Sequence, residues 1–239
     1  HICHPSLGND NCSGLAVVGW LARHLAARRN RLSYRILMAP AVLGSLAWLF
    51  ANQDSLSSIR HGLVIANVGD GGGPTYKRSR RGNAAVDKAA ELIISQSAGE
   101  PRVLDFSPYG YDERQLCSPG FNLPVGTFQR SRWGQFPEYH TSADNLDFIR
   151  PHHLAESVRQ IVSILDILET NTVFKSTIPF AEPQLGKRGL YDNADGRPLP
   201  EPVRMAFLWV LNLADGEHSL LDMATRAKLP YAAIRGAAE

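Results

Sequence analysis

The run Gly-Leu-Val-Ile-Ala-Asn-Val at residues 62–68 constrains the fold most, because it is almost wholly apolar. Such a segment predicts a strand inside a sheet that is covered on both faces. Further strands are predicted at residues 34–39, 102–106 and 123–129. The spacing of apolar residues predicts helices at residues 13–29, 43–50, 84–97 and 152–168. This alternation predicts an α/β fold with a mixed, mainly parallel sheet and helices on both faces.

The pattern changes after the last of these helices. Residues 178–202 are rich in proline and glycine and show no periodicity, which predicts an irregular connector. Beyond it, helical patterns follow at residues 203–213, 219–227 and 231–238. We therefore predict three regions, which are an α/β domain at 1–177, a connector at 178–202 and a small all-α helix-turn-helix at 203–239.

Composition excludes some partners. Lys plus Arg number 25 against 23 Asp plus Glu, and a net charge of +2 creates no strong field for nucleic acid or a membrane. The uncharged stretch at residues 36–53 is interpreted as a buried strand, turn and helix, because Pro40 and Gly44 interrupt it. Three cysteines indicate a reducing compartment, so we predict a cytoplasmic protein whose natural N-terminus is missing, since the chain starts with histidine.

Side chains of the types that bind zinc lie in loops beside the predicted strands and helices. They are His1, His4, Asp10, Asp70 and His140. In an open α/β sheet, reactive groups gather in the loops at the carboxyl ends of the strands. Catalytic zinc commonly takes three protein ligands and one water molecule, whose pKa it lowers to about 7. The pattern therefore predicts a metal centre with a carboxylate nearby for proton transfer.

Each of these residues also has a plainer interpretation. Asp10 stands at a helix start and is typical of a helix cap as well. Asp70 precedes three glycines, so it is also typical of a turn residue. His140, taken alone, is more typical of a loop histidine than of a ligand. Spacing alone leaves these alternatives open.

The densest positive charge lies in Tyr-Lys-Arg-Ser-Arg-Arg-Gly at residues 76–82. Arginine forks bind carboxylates and phosphates, so Tyr76, Lys77 and Arg80 are predicted to bind an anionic part of a substrate. A solvated edge strand is the alternative. The preceding glycines do not form a phosphate-binding P-loop, because the Lys-Ser/Thr pair is absent at the required spacing.

Three of these elements occur in the order seen in co-catalytic zinc aminopeptidases. They are His4 or His1, the run Asp10-Asn11-Cys12-Ser13-Gly14, and the run His140-Thr141-Ser142-Ala143-Asp144. The chain resembles this family, and it resembles more closely a bacterial aminopeptidase-like branch named for polysaccharide biosynthesis that carries a C-terminal winged helix. Further shared phrases occur at residues 1–6, 76–82, 111–122, 139–147 and 182–191.

The resemblance implies a zinc exopeptidase-like fold with one or two zinc ions and a bridging role for Asp10. It also implies a winged helix at 203–239 that is cut off before its wing, and a chain that lacks both natural ends. The shared loop at residues 111–114 adds Tyr111 to the predicted substrate-binding residues.

The chain departs from the family after residue 39. In well-studied relatives two glutamates stand there, one the general base and the other a metal ligand, whereas Pro40 and Ala41 begin this segment here. The resemblance then implies that Glu113 or Asp112 is the general base, or that the site binds one zinc ion and has altered activity.

The histidine ligand near the start of the chain has two candidates. By position the family's ligand corresponds to His1, with Cys3 in the place of an aspartate, but His4 lies nearer to Asp10 along the chain. We predict His4 and retain His1 as the alternative, or as a partner that orients a ligand.

The leading functional hypothesis is a metal-dependent hydrolase of an amide bond in a small peptide, aminoacyl or N-acyl substrate. The second is a non-catalytic module that holds a metal or ligand in the same pocket. A DNA-binding regulator is less favoured, because residues 203–239 carry no basic face. A cysteine hydrolase built on Cys117 or Cys3 lacks a located base. Assembly into a homo-oligomer is also compatible with the sequence.

Overall fold

The computed structural model describes residues 1–190 and 199–239 of the chain. Two compact units divide it, at residues 1–169 and 170–239. The first unit therefore ends before the boundary predicted at residue 177. Residues 191–198 of the predicted connector lie outside the described residues.

A four-stranded sheet forms the first unit, and its strands are β1 (Gly62–Ile65), β2 (Thr75–Lys77), β3 (Arg102–Leu104) and β4 (Val125–Gln129). The strand order is β1-β4-β2-β3. β1 pairs with β4 and β2 pairs with β3 in parallel, while β2 and β4 are antiparallel. The prediction of an α/β fold with a mixed, mainly parallel sheet is confirmed.

Five helices accompany the sheet, namely α1 (Gly14–Ala26), α2 (Leu43–Ala51), α3 (Ala85–Ser95), α4 (Glu113–Leu116) and α5 (Pro151–Thr170). Ile161 and Leu168, two of the residues whose apolar spacing predicted α5, are buried, and so is Ile164. Short helical turns occur at Gly8–Ser13 and Gln53–Ser58. The helix prediction thus succeeds where three- and four-residue spacing is sustained.

Two strand predictions need correction. Residues 34–39 form no strand, and Ile36, Leu37 and Met38 are exposed, because no described segment forms a ladder with them. The strand at 62–68 is shorter than predicted and forms one edge of the described sheet. An apolar run predicts burial, but it does not identify the neighbour that provides it.

Cys117 lies in a buried core cluster beside the sheet. The buried members of this cluster are Leu49, Leu56, Cys117, Leu123 and Val125. The thiol of Cys117 contacts the carbonyl oxygens of Leu123 and Val125 at 3.2 Å each. Burial raises the pKa of this thiol, which disfavours the reactive thiolate. This argues against a cysteine hydrolase built on Cys117.

The second unit contains β5 (Val173–Lys175), β6 (Asp215–Ser219) and the helices α6 (Glu201–Leu213), α7 (Leu220–Ala227) and α8 (Tyr231–Ala238). β5 and β6 are antiparallel. The three predicted helices are present, and β6 adds a strand that the sequence did not indicate, because a short polar strand paired with a distant segment leaves no local periodicity. In the described part of the chain, every helix is too short or too polar to cross a membrane.

Candidate metal centre

Asp10 lies in the turn Gly8–Ser13 that precedes α1. Its backbone leaves the helical conformation, with φ −109° and ψ 75°. The carboxylate of Asp144 fixes this turn, because it accepts hydrogen bonds from the backbone N–H groups of Asn9 (2.5 Å) and Asp10 (3.0 Å). No side chain caps α1, so the interpretation of Asp10 as its cap is wrong. The Asp10 carboxylate is thus available for another role.

His140 approaches Asp10 from the loop before α5. Its Nε2 atom lies 3.0 Å from Asp10 Oδ2. The ring of Tyr139 stacks on the imidazole, with centroids 4.0 Å apart and ring planes 14° apart. The backbone of His140 has φ +56°, which residues with a side chain seldom adopt. Such conformations, held by surrounding contacts, are frequent at functional sites.

His1 and His4 reach the same carboxylate from the start of the chain. His1 Nε2 is 3.1 Å from Asp10 Oδ1, and His4 Nδ1 is 3.9 Å from Asp10 Oδ2. The side chain of His1 is 3% exposed and stacks on Tyr111, whereas that of His4 is 38% exposed. Both histidines therefore flank Asp10, and His1 is the more buried and the closer of the two.

Three buried atoms of this group have no hydrogen-bond partner in the described structure. They are His1 Nε2, His4 Nδ1 and Asp10 Oδ1. His1 and Asp10 are close enough for a hydrogen bond but lack its geometry. Buried polar atoms left unpaired are costly, so their convergence favours a site that binds a ligand.

The donor set fits a zinc ion. His4, Asp10 and His140 can place ligand atoms within 4.8 Å of one another, and so can His1, Cys3 and His4. Imidazole nitrogen, carboxylate oxygen and thiolate sulfur are the usual zinc ligands. Burial raises the pKa of the Asp10 carboxyl, while His4 and His140 oppose the rise. A bound cation would favour the ionised carboxylate that burial disfavours.

Asp70 lies outside both ligand groups. Its Oδ1 accepts from Gly72 N and Ser131 Oγ, and its Oδ2 accepts from Asn9 Nδ2 and Ser131 N. Each oxygen atom thus already accepts two hydrogen bonds, which uses its lone pairs. In this arrangement Asp70 supports Asn9, the neighbour of Asp10, and offers no free oxygen to an ion. A metal role for Asp70 stays a prediction.

Glu113, a predicted general base, is fully buried at the start of α4. Its Oε1 atom accepts a hydrogen bond from Lys77 Nζ at 2.7 Å, and Lys77 also donates to the carbonyl of Tyr109. The Oε2 atom is buried without a hydrogen-bond partner in the described residues. Lys77 therefore serves an internal ion pair, and Glu113 keeps one acceptor atom free.

Tyr111 links this loop to the metal ligands. Its ring stacks on His1 with centroids 5.1 Å apart, and its hydroxyl accepts a hydrogen bond from Asn67. Burial raises its pKa, and so does the negative charge of Asp10, so the phenol keeps its proton. Asp112, the other predicted base, instead accepts a hydrogen bond from Ser45 of α2.

The predicted anion clamp at residues 76–82 is not assembled. Tyr76 is fully buried, and its hydroxyl donates to Asp87. Arg80 is exposed and donates to Asn122. Since β2 alternates its side chains between opposite faces, Tyr76 and Lys77 point to different surroundings. The alternative interpretation as a solvated edge strand is wrong, because β2 is buried and lies between β4 and β3.

Two supports of the site were missed by sequence reasoning. Asp144 is buried and holds the turn of Asp10, and Tyr139 stacks on His140. Both lie within the shared phrase at residues 139–147, which was the available signal. In the segment after residue 39, where the resemblance implies paired glutamates, the N–H of Ala41 donates to Cys3 Sγ at 3.0 Å.

A family model described as "Domain of unknown function (DUF4910)" matches residues 1–171. The chain belongs to the DUF4910 family. A winged helix-turn-helix model matches residues 172–239. The DUF4910 domain thus contains every candidate ligand, and the C-terminal unit is a winged helix-turn-helix.

Relatives of this DUF4910 chain occur in Clostridium acetobutylicum. One is named "Putative polysaccharide biosynthesis protein with aminopeptidase-like domain" and is 43% identical over 239 residues, which are 100% of this chain and 55% of that protein. A crystal structure named "putative peptidase" has a TM-score of 0.89 at 42% identity, covering 99% of this chain and 53% of that one. The chain spans about half the length of these relatives.

Two aminopeptidases share the fold of the DUF4910 domain. The aminopeptidase of Aneurinibacillus sp. strain AM-1 has a TM-score of 0.56 at 20% identity, covering 67% of this chain and 39% of that one. BSAP, a zinc aminopeptidase from Bacillus subtilis, has a TM-score of 0.56 at 16% identity, covering 66% and 41%. The aminopeptidase-like fold implied by the motifs is therefore confirmed.

Proposed function

We propose that this DUF4910 domain carries the metal centre of a zinc-dependent hydrolase of aminopeptidase type. The supporting observation is the convergence of His1 Nε2, His4 Nδ1 and Asp10 Oδ1 as buried atoms without hydrogen-bond partners. His4, Asp10 and His140 would hold one ion. His1 and Cys3 form a second donor group with His4, and this group would hold a second ion.

The zinc ion would supply an activated water molecule and polarise the carbonyl of an amide bond. Glu113 would accept the proton of that water through Oε2, since Lys77 engages only Oε1. The same carboxyl would return the proton to the leaving amine. Tyr111, stacked on His1, would orient that ring and contact the substrate. Small peptides, aminoacyl compounds and N-acyl compounds are the proposed substrates.

The test combines metal analysis with an activity assay. The purified chain, reconstituted with zinc, is assayed on an aminoacyl-nitroanilide and on an N-acyl amino sugar. Turnover is expected to vanish in His140→Ala. His24→Ala is the matched control, because that histidine lies on α1 and stacks on Trp20. Absence of both zinc and turnover in the wild type would refute the proposal.

A second candidate is a non-catalytic metal-holding module that acts in polysaccharide biosynthesis. The contact of Ala41 with Cys3 favours it, because the family's general base would stand there. The C. acetobutylicum relative's name suggests the pathway. This candidate predicts bound zinc without hydrolysis. Turnover that His140→Ala removes would exclude it.

A further inference from the structure

A cleft of about 760 Å³ lies in the first unit, beside the glycine turn that follows Asp70. Its walls include the glycine turn Gly71, Gly72 and Gly73, the loop at residues 98–102, and the segment at residues 130–135. The first turns of α5 contribute His153 and Glu156. None of the proposed metal ligands at His1, His4, Asp10 or His140 lines it.

Arg130 is the buried charge of this cleft, with only 6% of its surface exposed. Its Nη1 atom donates to Glu156 at 2.8 Å. Its Nε atom is buried and has no hydrogen-bond partner in the described structure. A guanidinium presents its donors as a planar fork, so this free donor is preorganised for a second acceptor.

His153 adds a second unpartnered atom on the same wall. Its Nδ1 is buried without a hydrogen-bond partner in the described residues. Burial lowers its pKa, and the charges of Arg130 and His152 lower it further, so the imidazole is neutral at pH 7. A neutral imidazole can donate one hydrogen bond to a ligand and adds no charge.

Two further arginines line the cleft. The guanidinium of Arg132 lies 4.9 Å from the ring centroid of Trp133, and no described carboxylate forms an ion pair with it. Arg102 pairs with Glu100 at the exposed rim. Since Arg130 pairs with Glu156 and Arg102 with Glu100, Arg132 is the arginine of the cleft that has no ion pair among the described residues.

The glycine turn packs closely against two neighbouring segments of the cleft. A Cβ atom at Gly72 would lie 2.4 Å from Ser131 Oγ, and one at Gly73 would lie 2.2 Å from the carbonyl oxygen of Glu100. Larger residues would thus push apart the segments that carry Arg132 and Glu100. Gly72 and Gly73 are therefore required for the shape of this cleft.

We propose that this cleft binds a small anionic ligand, a carboxylate or a phosphate, through Arg130 Nε, Arg132 and His153. Arginine donors match the oxygen pairs of both groups. Anion binding in this cleft does not require the metal, so this proposal does not depend on whether the chain is a hydrolase. Asp70, which accepts from Ser131 and Asn9, separates the cleft from the turn of Asp10.

The experiment is isothermal titration calorimetry of the full zinc-loaded chain with inorganic phosphate and, separately, with succinate at fixed ionic strength. Binding of either anion is expected, and the one that binds identifies the ligand class. Arg132→Gln and Arg130→Gln are each expected to weaken binding about ten-fold or more. Arg159→Gln is the control, because this exposed arginine of α5 does not line the cleft.

Two controls keep the result specific to the cleft. Asp10→Asn should bind the anion as the wild type does, whereas an anion held by zinc would be lost with the metal. Arg132→Gln decides the outcome if Arg130→Gln unfolds after its ion pair with Glu156 is broken. Wild-type affinity in Arg132→Gln, or no binding of either anion at millimolar concentration, would overturn the proposal.

Discussion

Asp10 and Asp87 are both buried carboxylates of the same fold, with 1% and 0% exposure, yet their surroundings differ. Asp87 accepts four hydrogen bonds, from Tyr76 Oη, the N–H and hydroxyl of Ser79, and the N–H of Ala84. Asp10 has one unpartnered oxygen atom and three imidazoles around it. A buried carboxylate saturated by the protein is structural, whereas one left unsaturated among imidazoles indicates a ligand site.

Asp10→Asn replaces the carboxylate that has an unpartnered oxygen atom, and it has the largest expected effect, which is on turnover. An amide is a poor ligand for zinc, so turnover should fall at least about 100-fold. The metal-free variant should be no less stable than the metal-free wild type, because burial already disfavours the charge of Asp10. Activity on an aminoacyl-nitroanilide and urea unfolding measure the two effects. Retained turnover would contradict the role of Asp10.

Asp87→Asn replaces the carboxylate that accepts four hydrogen bonds. It should lower the stability of the fold and leave zinc binding unchanged. The amide nitrogen would face the donors of Ser79 or Ala84, so the free energy of unfolding should fall by roughly 2 to 4 kcal/mol. The zinc content of the folded fraction should not change. Urea unfolding and elemental analysis check these outcomes. Zinc loss in a folded Asp87→Asn protein would undo the comparison.

Asp144→Asn tests a carboxylate that positions the proposed ligand Asp10 through hydrogen bonds to its turn. Asp144 holds the backbone N–H groups of Asn9 and Asp10, so its loss should misplace the Asp10 side chain. Zinc affinity is expected to fall about 10- to 100-fold, as for other residues that orient metal ligands. Competition with a fluorescent zinc chelator measures this. An unchanged affinity would show that the turn holds without Asp144.

Asp215 provides the smallest expected effect, since its carboxylate is saturated but exposed. Hydrogen bonds from the backbone N–H groups of Glu217 and His218 lower its pKa from 3.8 to about 2. A lowered folded-state pKa stabilises the fold above pH 3.8, and this contribution is lost as pH falls towards about 2. NMR titration of the Asp215 side chain measures it. A midpoint near the ordinary value would contradict this local structure.

Local sequence patterns predicted the parts of the molecule that depend on neighbours in the chain. Sustained spacing predicted α5, and motif resemblance selected Asp10 and His140, which lie in contact. The strand predicted at residues 34–39 failed because sheet pairing depends on a distant partner. For the same reason β5 and β6 were missed.

The candidate site shows the same limit. Tyr76 and Lys77 were predicted to bind substrate from their charge and sequence context, but their partners Asp87 and Glu113 are separated from them by 11 and 36 residues. Only the fold shows that these side chains satisfy buried carboxylates. The free atoms around Asp10 likewise cannot be read from a motif, because saturation is a property of the assembled structure.

The most direct test is the zinc content per chain of three proteins purified and dialysed in parallel, which are the wild type, Asp10→Asn and Asp87→Asn. Because Asp10 has an unpartnered oxygen atom and Asp87 has none, we predict bound zinc in the wild type and in folded Asp87→Asn. We predict that Asp10→Asn loses the zinc. Zinc retained at the wild-type level in Asp10→Asn, or absent from all three proteins, would contradict the assignment of Asp10 as the centre of a metal site.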